Sequence, residues 1–272
     1  MDKFSILIPS YREQDRLYNL VKTILKDKIA NKIEKIIIVS PDKNLILPKS
    51  RKIILIKEKE RKGKYYAIQL GLKRIKSKII VMLSSDLRMR KNFLYFLLKH
   101  FKNKEVGMII GRPKADKNSR IYYFSKIIWD LHHLLCLKKP KGTEICAFRK
   151  IFNYFPKVLA DEVFIEYKIR KTKYRIVYEP KAFGYTKIPY TLLQFLKQRK
   201  RSFAGHLQIK KQYGFSTSSM EYSIILGILM DFLKEQTFID IIFLTALIFI
   251  EALARILAFI EFYLFRKIEV IW

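Results

Sequence analysis

The chain has little cysteine chemistry to offer. Its two cysteines, Cys136 and Cys146, lack the spacing of a zinc ribbon or a redox pair, so a disulfide framework is excluded as the organising device. Free thiols in a reducing compartment are expected instead. The four histidines show no metal-ligand spacing, and His132-His133 reads as helix surface or a satisfied pair. No internal repeat and no low-complexity linker interrupts the sequence, which excludes a solenoid or a string of tethered modules. No apolar run near the start is long enough for a secretory h-region, and the N-terminal part is expected to stay in the cytoplasm. Acidic residues are scarce, 24 against 55 Lys and Arg in 272 residues, for a net charge of +31.

That charge is unevenly placed. Residues 216–272 hold seven acids and four bases, so the first 215 residues carry a net charge of +34. Such a field attracts nucleic acid, anionic head groups or phosphorylated small molecules; a lysine-rich proteome is the plain alternative. Half of the residues are hydrophobic, which excludes a disordered chain and leaves room for a sizeable core with an appendage.

Apolar, β-branched runs at 3–9, 35–40, 51–57 and 78–83 predict strands. Helical spacing predicts helices over 13–26 and 65–75 between them. This alternation argues for an α/β fold, a mostly parallel central sheet with helices on both faces. Further on, the pattern predicts a helix over 91–102, a strand over 106–111, and helices over 121–137 and 158–171. A short strand closed by Pro180 and a long basic helix over 190–213 complete this part. The tail differs: 221–234 is amphipathic, and 238–265 is apolar over 28 residues except for Asp240, Glu251, Arg255 and Glu261. A helix of that length, at about 1.5 Å per residue, is long enough to cross a bilayer. Each charge costs about 2.5–3.5 kcal/mol at mid-membrane, and Glu251 and Arg255, four apart, are placed to pair. A spanning or re-entrant segment, an interfacial helix and a buried helix are the open readings. Residues 1–215 are thus expected to form one α/β domain, and 216–272 a membrane-associated or transmembrane helical segment.

Short polar signals stand at the ends of the apolar runs: Ile8-Pro9-Ser10-Tyr11-Arg12-Glu13, Ser40-Pro41-Asp42, Arg61-Lys62-Gly63-Lys64 and Ser84-Ser85-Asp86. Ala160-Asp161-Glu162 and Gln198-Arg199-Lys200-Arg201 follow. Ligands of open α/β sheets sit outside the carboxyl ends of the strands, so these signals point at one crevice. An aromatic such as Tyr11 can face a base, and Glu13 can accept from base or ribose; a Pro turn with Glu13 in a helix's first turn is the alternative. Lys62 and Lys64 flank a helix start, which suits phosphate. Asp86 at a strand end suits a hard divalent cation.

In order and spacing, the series resembles the family-2 inverting glycosyltransferases of the GT-A (Rossmann-like) nucleotide-sugar fold, over about 3–211. The resemblance implies that the loop with Pro9, Tyr11 and Glu13 contacts the nucleotide, with Arg12 where the family usually has Asn. Asp42 stands near the base-reading acids, or only caps a turn with Pro41. Lys62 and Lys64 correspond to the family's Lys-Gly segment. Ser85 and Asp86 fall in the Asp-x-Asp motif that holds Mg²⁺ or Mn²⁺ on the diphosphate, with Ser84 replacing the first Asp. Asp161 is the expected catalytic base, with Glu162 second, because inversion needs a carboxylate opposite the leaving group. Gln198 and Arg201 match the family's Gln-x-x-Arg-Trp motif, with Ser202 in place of Trp, and Arg201 is expected to steady the departing diphosphate. The implied partners are a nucleotide-sugar donor, a lipid-linked or glycan acceptor and a membrane surface. The implied location is the cell membrane, with the catalytic domain on the cytoplasmic side. Nucleic acid is not expected. A basic nucleic-acid- or membrane-binding protein on a degenerate transferase fold is the alternative from another class, and a nucleotidyltransferase is the alternative among enzymes.

Overall fold

Strand β1 (Phe4–Pro9) is buried over its whole length, as an unbroken apolar run must be in a sheet covered on both faces. This is a computed structural model, and it describes residues 2–117, 119, 121–234 and 237–265. Helix α1 (Gln14–Leu25) follows, with Leu17, Leu20, Val21 and Ile24 inward at helical spacing. Next come β2 (Ile33–Ser40), β3 (Ile53–Lys57), α2 (Lys64–Leu72), β4 (Ile79–Leu83), the two-residue β5 (Arg88–Met89) and α3 (Phe93–Leu98). The second half runs β6 (Val106–Ala115), α4 (Tyr122–Lys138), β7 (Ile145–Arg149), α5 (Asp161–Arg170), β8 (Arg175–Thr186) and α6 (Leu192–Tyr213). Two apolar helices close the chain: α7 (Tyr222–Leu233) and α8 (Phe238–Phe259), the latter continued by a π turn at Ile260–Leu264.

All eight strands join one sheet in the order β3-β2-β1-β4-β7-β6-β8-β5. β1 lies parallel between β2 and β4. The direction of strand addition reverses there, so the carboxyl ends of β1 and β4 open a crevice. Strand β7 then enters antiparallel between β4 and β6, which makes the sheet mixed rather than simply parallel. The sequence reading has no strand at 145–149. β8 is also longer than expected: it passes Pro180 instead of ending there, and its pairing with β6 shifts register between Ile110 and Arg112. A bulge of this kind lets a proline sit within a strand.

Alternate residues of the strands feed two cores, as the two-residue period of a strand requires. Phe4, Ile6 and Ile8 of β1 meet α1 and α3 on one face. Leu7, with Ile37 and Val39 of β2, meets α2 and α5 on the other, where Ile209 of α6 joins them. A third cluster lies away from the sheet: Ile121, Phe124 and Ile127 at α4, Phe195 of α6, Phe232 of α7, and Leu244 and Leu247 of α8. The segment 216–265 therefore shares a core with the rest of the chain; residues 235–236 and 266–272 of the expected tail lie outside the described residues.

The charges of α8 face inward. Glu251 pairs with Arg199 of α6 and lies 3.9 Å from Arg255. Glu261 pairs with Lys200, and Asp240 caps its own helix with Thr237 and lies 3.6 Å from Lys126. The opposite face is bare: Phe249 is 72% exposed, with Leu253, Ile256 and Phe259 beside it.

Glu166 of α5 is fully buried, accepts from Gly142 N at 2.9 Å, and pairs with Arg170 at 2.8 Å. It ties the 139–144 loop to α5. Glu166→Ala removes one partner of a buried pair and is expected to lower unfolding free energy by about 3 kcal/mol, read by urea denaturation.

Candidate active site

Three loops meet at the crevice between β1 and β4. After β1 the chain turns sharply, and Arg12 takes a left-handed conformation (φ 56°). Its backbone N–H donates to Asp42 Oδ2 at 2.8 Å, so the loops after β1 and β2 are joined. The Tyr11 ring lies under the Arg61 guanidinium, 3.9 Å from its centroid, with Arg12 at 5.0 Å. After β4, the Ser84 hydroxyl donates to Asp86 Oδ1 at 2.5 Å, and Lys187 N donates to Asp86 Oδ2 at 3.1 Å. The Lys187 ammonium reaches back to Glu13 Oε1 at 2.7 Å. Glu13 and Asp86 are thus bridged by one residue just past β8.

A denser cluster stands on the starts of two helices. Gly63 (φ 102°, ψ 166°) turns the chain into α2 in a conformation open to glycine alone. The first residue of α2, Lys64, meets the first residue of α5, Asp161, at 2.8 Å. Asp161 is 3% exposed. Burial alone would depress the Lys64 pKa, but Asp161 and Glu162 outweigh it and raise it, so the ammonium stays charged. Glu162 is pushed up to about 7 by burial and by Asp161, against the pull of Lys64 and Lys141. Arg201 of α6 is lowered to about 10 by burial, opposed by Asp161 and Glu162, which it faces.

Two close backbone approaches fix this arrangement. A Cβ on Gly142 would lie 2.6 Å from the Glu162 carbonyl oxygen, and one on Gly205 of α6 would lie 2.9 Å from Ala160 Cβ. Gln208 of α6 adds two hydrogen bonds to the segment before α5: it accepts from Leu159 N at 2.9 Å and donates to the Lys157 carbonyl at 3.0 Å.

The sequence-predicted residues divide accordingly. Asp161, Glu162, Lys64 and Arg201 come together; Glu13 and Asp86 join through Lys187; Tyr11 and Asp42 line the neighbouring loops. Pro9 and Ser85 are buried at the strand ends behind them. Lys62 does not join: it is exposed, 3.6 Å from Glu60 and over the Tyr66 ring. Gln198 is exposed on α6, and the neighbouring Arg199 and Lys200 turn to α8.

Sequence reasoning missed Glu144. It sits just before β7, close enough to Asp86 and Glu162 for both to act on it. Burial and then Asp86 push its pKa up to about 8, with a hydrogen bond from Thr186 opposing. Its Oε1 is shut off from solvent without a hydrogen-bond partner among the described residues. Its signal in the sequence was faint, a single acid before an apolar run whose strand was itself unread.

The family model for Glycosyl transferase family 2 matches residues 5–159, more than half of the chain. The chain belongs to glycosyl transferase family 2. This glycosyltransferase is 23% identical over 239 residues to a poly-beta-1,6-N-acetyl-D-glucosamine synthase of Staphylococcus aureus, covering 80% of the chain and 58% of the synthase. It is 20% identical over 247 residues to the synthase of that name from Staphylococcus epidermidis, covering 82% and 60%. The chain thus spans less than two thirds of the length of these curated relatives. Among solved structures it resembles a mannosyltransferase from Pyrobaculum calidifontis in complex with GDP-Man and Mn²⁺ (TM-score 0.64, 15% identity, 97% of this chain and 88% of that one). It also resembles glucosyl-3-phosphoglycerate synthase from Mycobacterium tuberculosis in complex with phosphoglyceric acid (TM-score 0.52, 12% identity, 75% and 78%). These likenesses establish the GT-A fold.

The acids at the crevice are of the donor type that a hard divalent cation takes. No group of three or more His, Cys, Asp or Glu is placed to hold a metal among the described residues. Magnesium and manganese sites on diphosphates need only one or two carboxylates, the remaining ligands being phosphate oxygens and water. Asp86 and Glu144 supply two, and their mutual repulsion is what a dication relieves.

The raised carboxyls set a pH dependence. Glu144 at about 8 and Glu162 at about 7 both lie above their ordinary 4.5. The folded chain therefore holds these protons more tightly than the unfolded one. That stabilisation is complete below about pH 4.5 and is lost as pH rises through 7 to 8. Metal-free protein should melt at lower temperature at pH 8.5 than at pH 5, and Glu144→Gln should flatten the difference.

Proposed function

We propose that the protein is an inverting, metal-dependent transferase that moves a sugar from a nucleotide-diphosphate donor to a lipid-linked or glycan acceptor at the membrane. The observation that carries this reading is the meeting of Glu162, Asp161, Lys64 and Arg201 with Glu144 and Asp86 at the carboxyl end of the sheet. Asp86 and Glu162 both act on Glu144, which links the two groups of acids. Support also comes from the named ligands of the structural neighbours, GDP-Man with Mn²⁺ in one and UDP with Mn²⁺ and phosphoglyceric acid in another.

In this reading the donor's base lies against the loops of Tyr11 and Asp42, with the Arg61 guanidinium stacked on the Tyr11 ring. Asp86 and Glu144 would hold Mg²⁺ or Mn²⁺. When bound, the ion offsets negative charge on the diphosphate. Glu162 takes the proton of the acceptor hydroxyl as that oxygen attacks the anomeric carbon. Its raised pKa and partly open position suit a base working near neutrality better than Asp161, which is closed in and held by Lys64. Asp161 then orients Lys64 and lifts the basicity of Glu162. Arg201, charged in a site screened from water, faces the charge that develops on the leaving group.

Membrane seating rests on α7 and α8. The segment Phe238–Leu264 is long and apolar enough to cross a bilayer by length and composition, and its outward face is bare. The strongly basic first 215 residues suit anionic head groups. The reading keeps the catalytic domain on the cytoplasmic side.

Glu162→Gln is expected to lower kcat by about 10²–10⁴-fold, leave nucleotide-sugar binding intact, and remove a limb of the pH–rate profile that rises through about pH 7. Full activity in that variant would sink the assignment of the base. Asp86→Asn should weaken donor binding only when Mn²⁺ or Mg²⁺ is present, as titration calorimetry with a panel of nucleotide sugars would read.

A further inference from the structure

A second cleft of about 40 Å³ lies between α6 and α8, beside the catalytic cluster. Its walls carry three cations, Lys141, Arg199 and Arg255, against a single carboxylate, Glu251. That carboxylate is already engaged by Arg199 and lies 3.9 Å from Arg255. His206 also lines the cleft; burial, Lys141 and Arg199 hold its pKa well below the ordinary value, so it is neutral. Lys141 is crowded in the same way, its pKa lowered by burial and by Arg199 and supported by Glu162 and Glu166. Ser219, whose hydroxyl is buried without a hydrogen-bond partner among the described residues, faces the same space. The pocket therefore sets three cations and a spare hydroxyl against one carboxylate.

The position of the cleft is as informative as its charge. Lys141 acts on Glu162, the proposed base, and Ser202 in the wall follows Arg201 of the catalytic cluster. On its other side the cleft is bounded by α8, whose outer surface exposes Phe249, Leu253 and Ile256. A ligand here would lie against the polar inner face of α8, with catalytic charge at its other end.

We infer that this cleft binds a phosphate group, with Lys141, Arg199 and Arg255 as its cations and Ser219 as a hydroxyl donor. The inference rests on the transferase reading for its purpose: a phosphate held there sets a phosphorylated acceptor near Glu162, on which Lys141 acts. Phosphate oxygens accept the many donors that Arg and Lys present, and the buried like charges are relieved on binding. The Glu251 carboxylate keeps the empty cleft folded by bridging Arg199 and Arg255 in the meantime.

The test uses the full chain in detergent, with farnesyl phosphate, inorganic phosphate and farnesol as probes, read by titration calorimetry and by the imidazole NMR signals of His206. Farnesyl phosphate is expected to bind, and to shift the His206 signals toward the protonated form as the nearby positive charge is compensated. Farnesol should do neither. Lys141→Gln and Arg255→Gln should each weaken binding at least tenfold while Mn²⁺-dependent nucleotide-sugar binding is unchanged. Ser202→Asp, which sets a carboxylate in the wall without deleting a buried cation, should abolish phosphate binding and guards against misfolding of the other variants. Inorganic phosphate binding as tightly as farnesyl phosphate would identify a free phosphate as the ligand; tighter binding of the farnesyl ester would identify a lipid head. Binding of neither probe, or binding indifferent to all three substitutions, would overturn the inference. Loss of nucleotide-sugar binding by the unaltered chain, with phosphate still bound, would instead count against the transferase reading.

Discussion

The ion pair between Lys64 and Asp161 is the contact on which the site's electrostatics depend. It joins the first residues of α2 and α5, two helix starts from opposite halves of the chain. A cation at a helix N-terminus is unfavourable and an anion there is favourable, so Asp161, well placed on its own helix, offsets the poor placement of Lys64. Breaking one partner of a buried pair leaves an uncompensated charge. Here it would also remove the largest opposing charge from Glu162 and Glu144, both raised already. The pair is thus what lets several acids share one dry crevice.

Helix α6 is the second organising element, because consecutive residues on it serve different neighbours. Arg199 and Lys200 reach α8, while Arg201 turns to Asp161 and Glu162. One turn on, Gly205 allows the helix to lie against Ala160, immediately before those acids. The apolar helix and the catalytic cluster are therefore registered against a single rod. The charges on α8, costly in lipid when isolated, are matched by basic residues that an extremely basic domain has in plenty.

Much of the architecture was legible in the sequence, because buried parallel strands read as continuous β-branched runs and α1, α4 and α6 carry clear helical spacing. β7 was not legible: five residues with a cysteine and an alanine carry little strand signal, and their pairing with β4 and β6 is a property of the sheet. Pro180 misled for a related reason, since only the register shift with β6 makes room for it. In the site, Asp86 after β4 and Asp161 at the start of α5 stood out through the order of the polar signals along the chain. Glu144 and the division of labour between Asp161 and Glu162 did not, because they depend on burial and on which acid meets Lys64, quantities that exist only once the chain is folded. Lys62 shows the converse: a residue that looked poised for phosphate is turned toward Glu60.

The inward-facing acids of α8 carry a consequence for how such a tail evolves and can be exchanged. A helix that merely floats in lipid is interchangeable with any greasy segment of equal length. This one is keyed: Glu251 and Glu261 fit particular teeth on the neighbouring rod. A foreign apolar helix grafted in its place would leave two cations stranded one and two residues upstream of Arg201. Drift in the tail is thus answerable to the chemistry of the catalytic half, and the two must change in step.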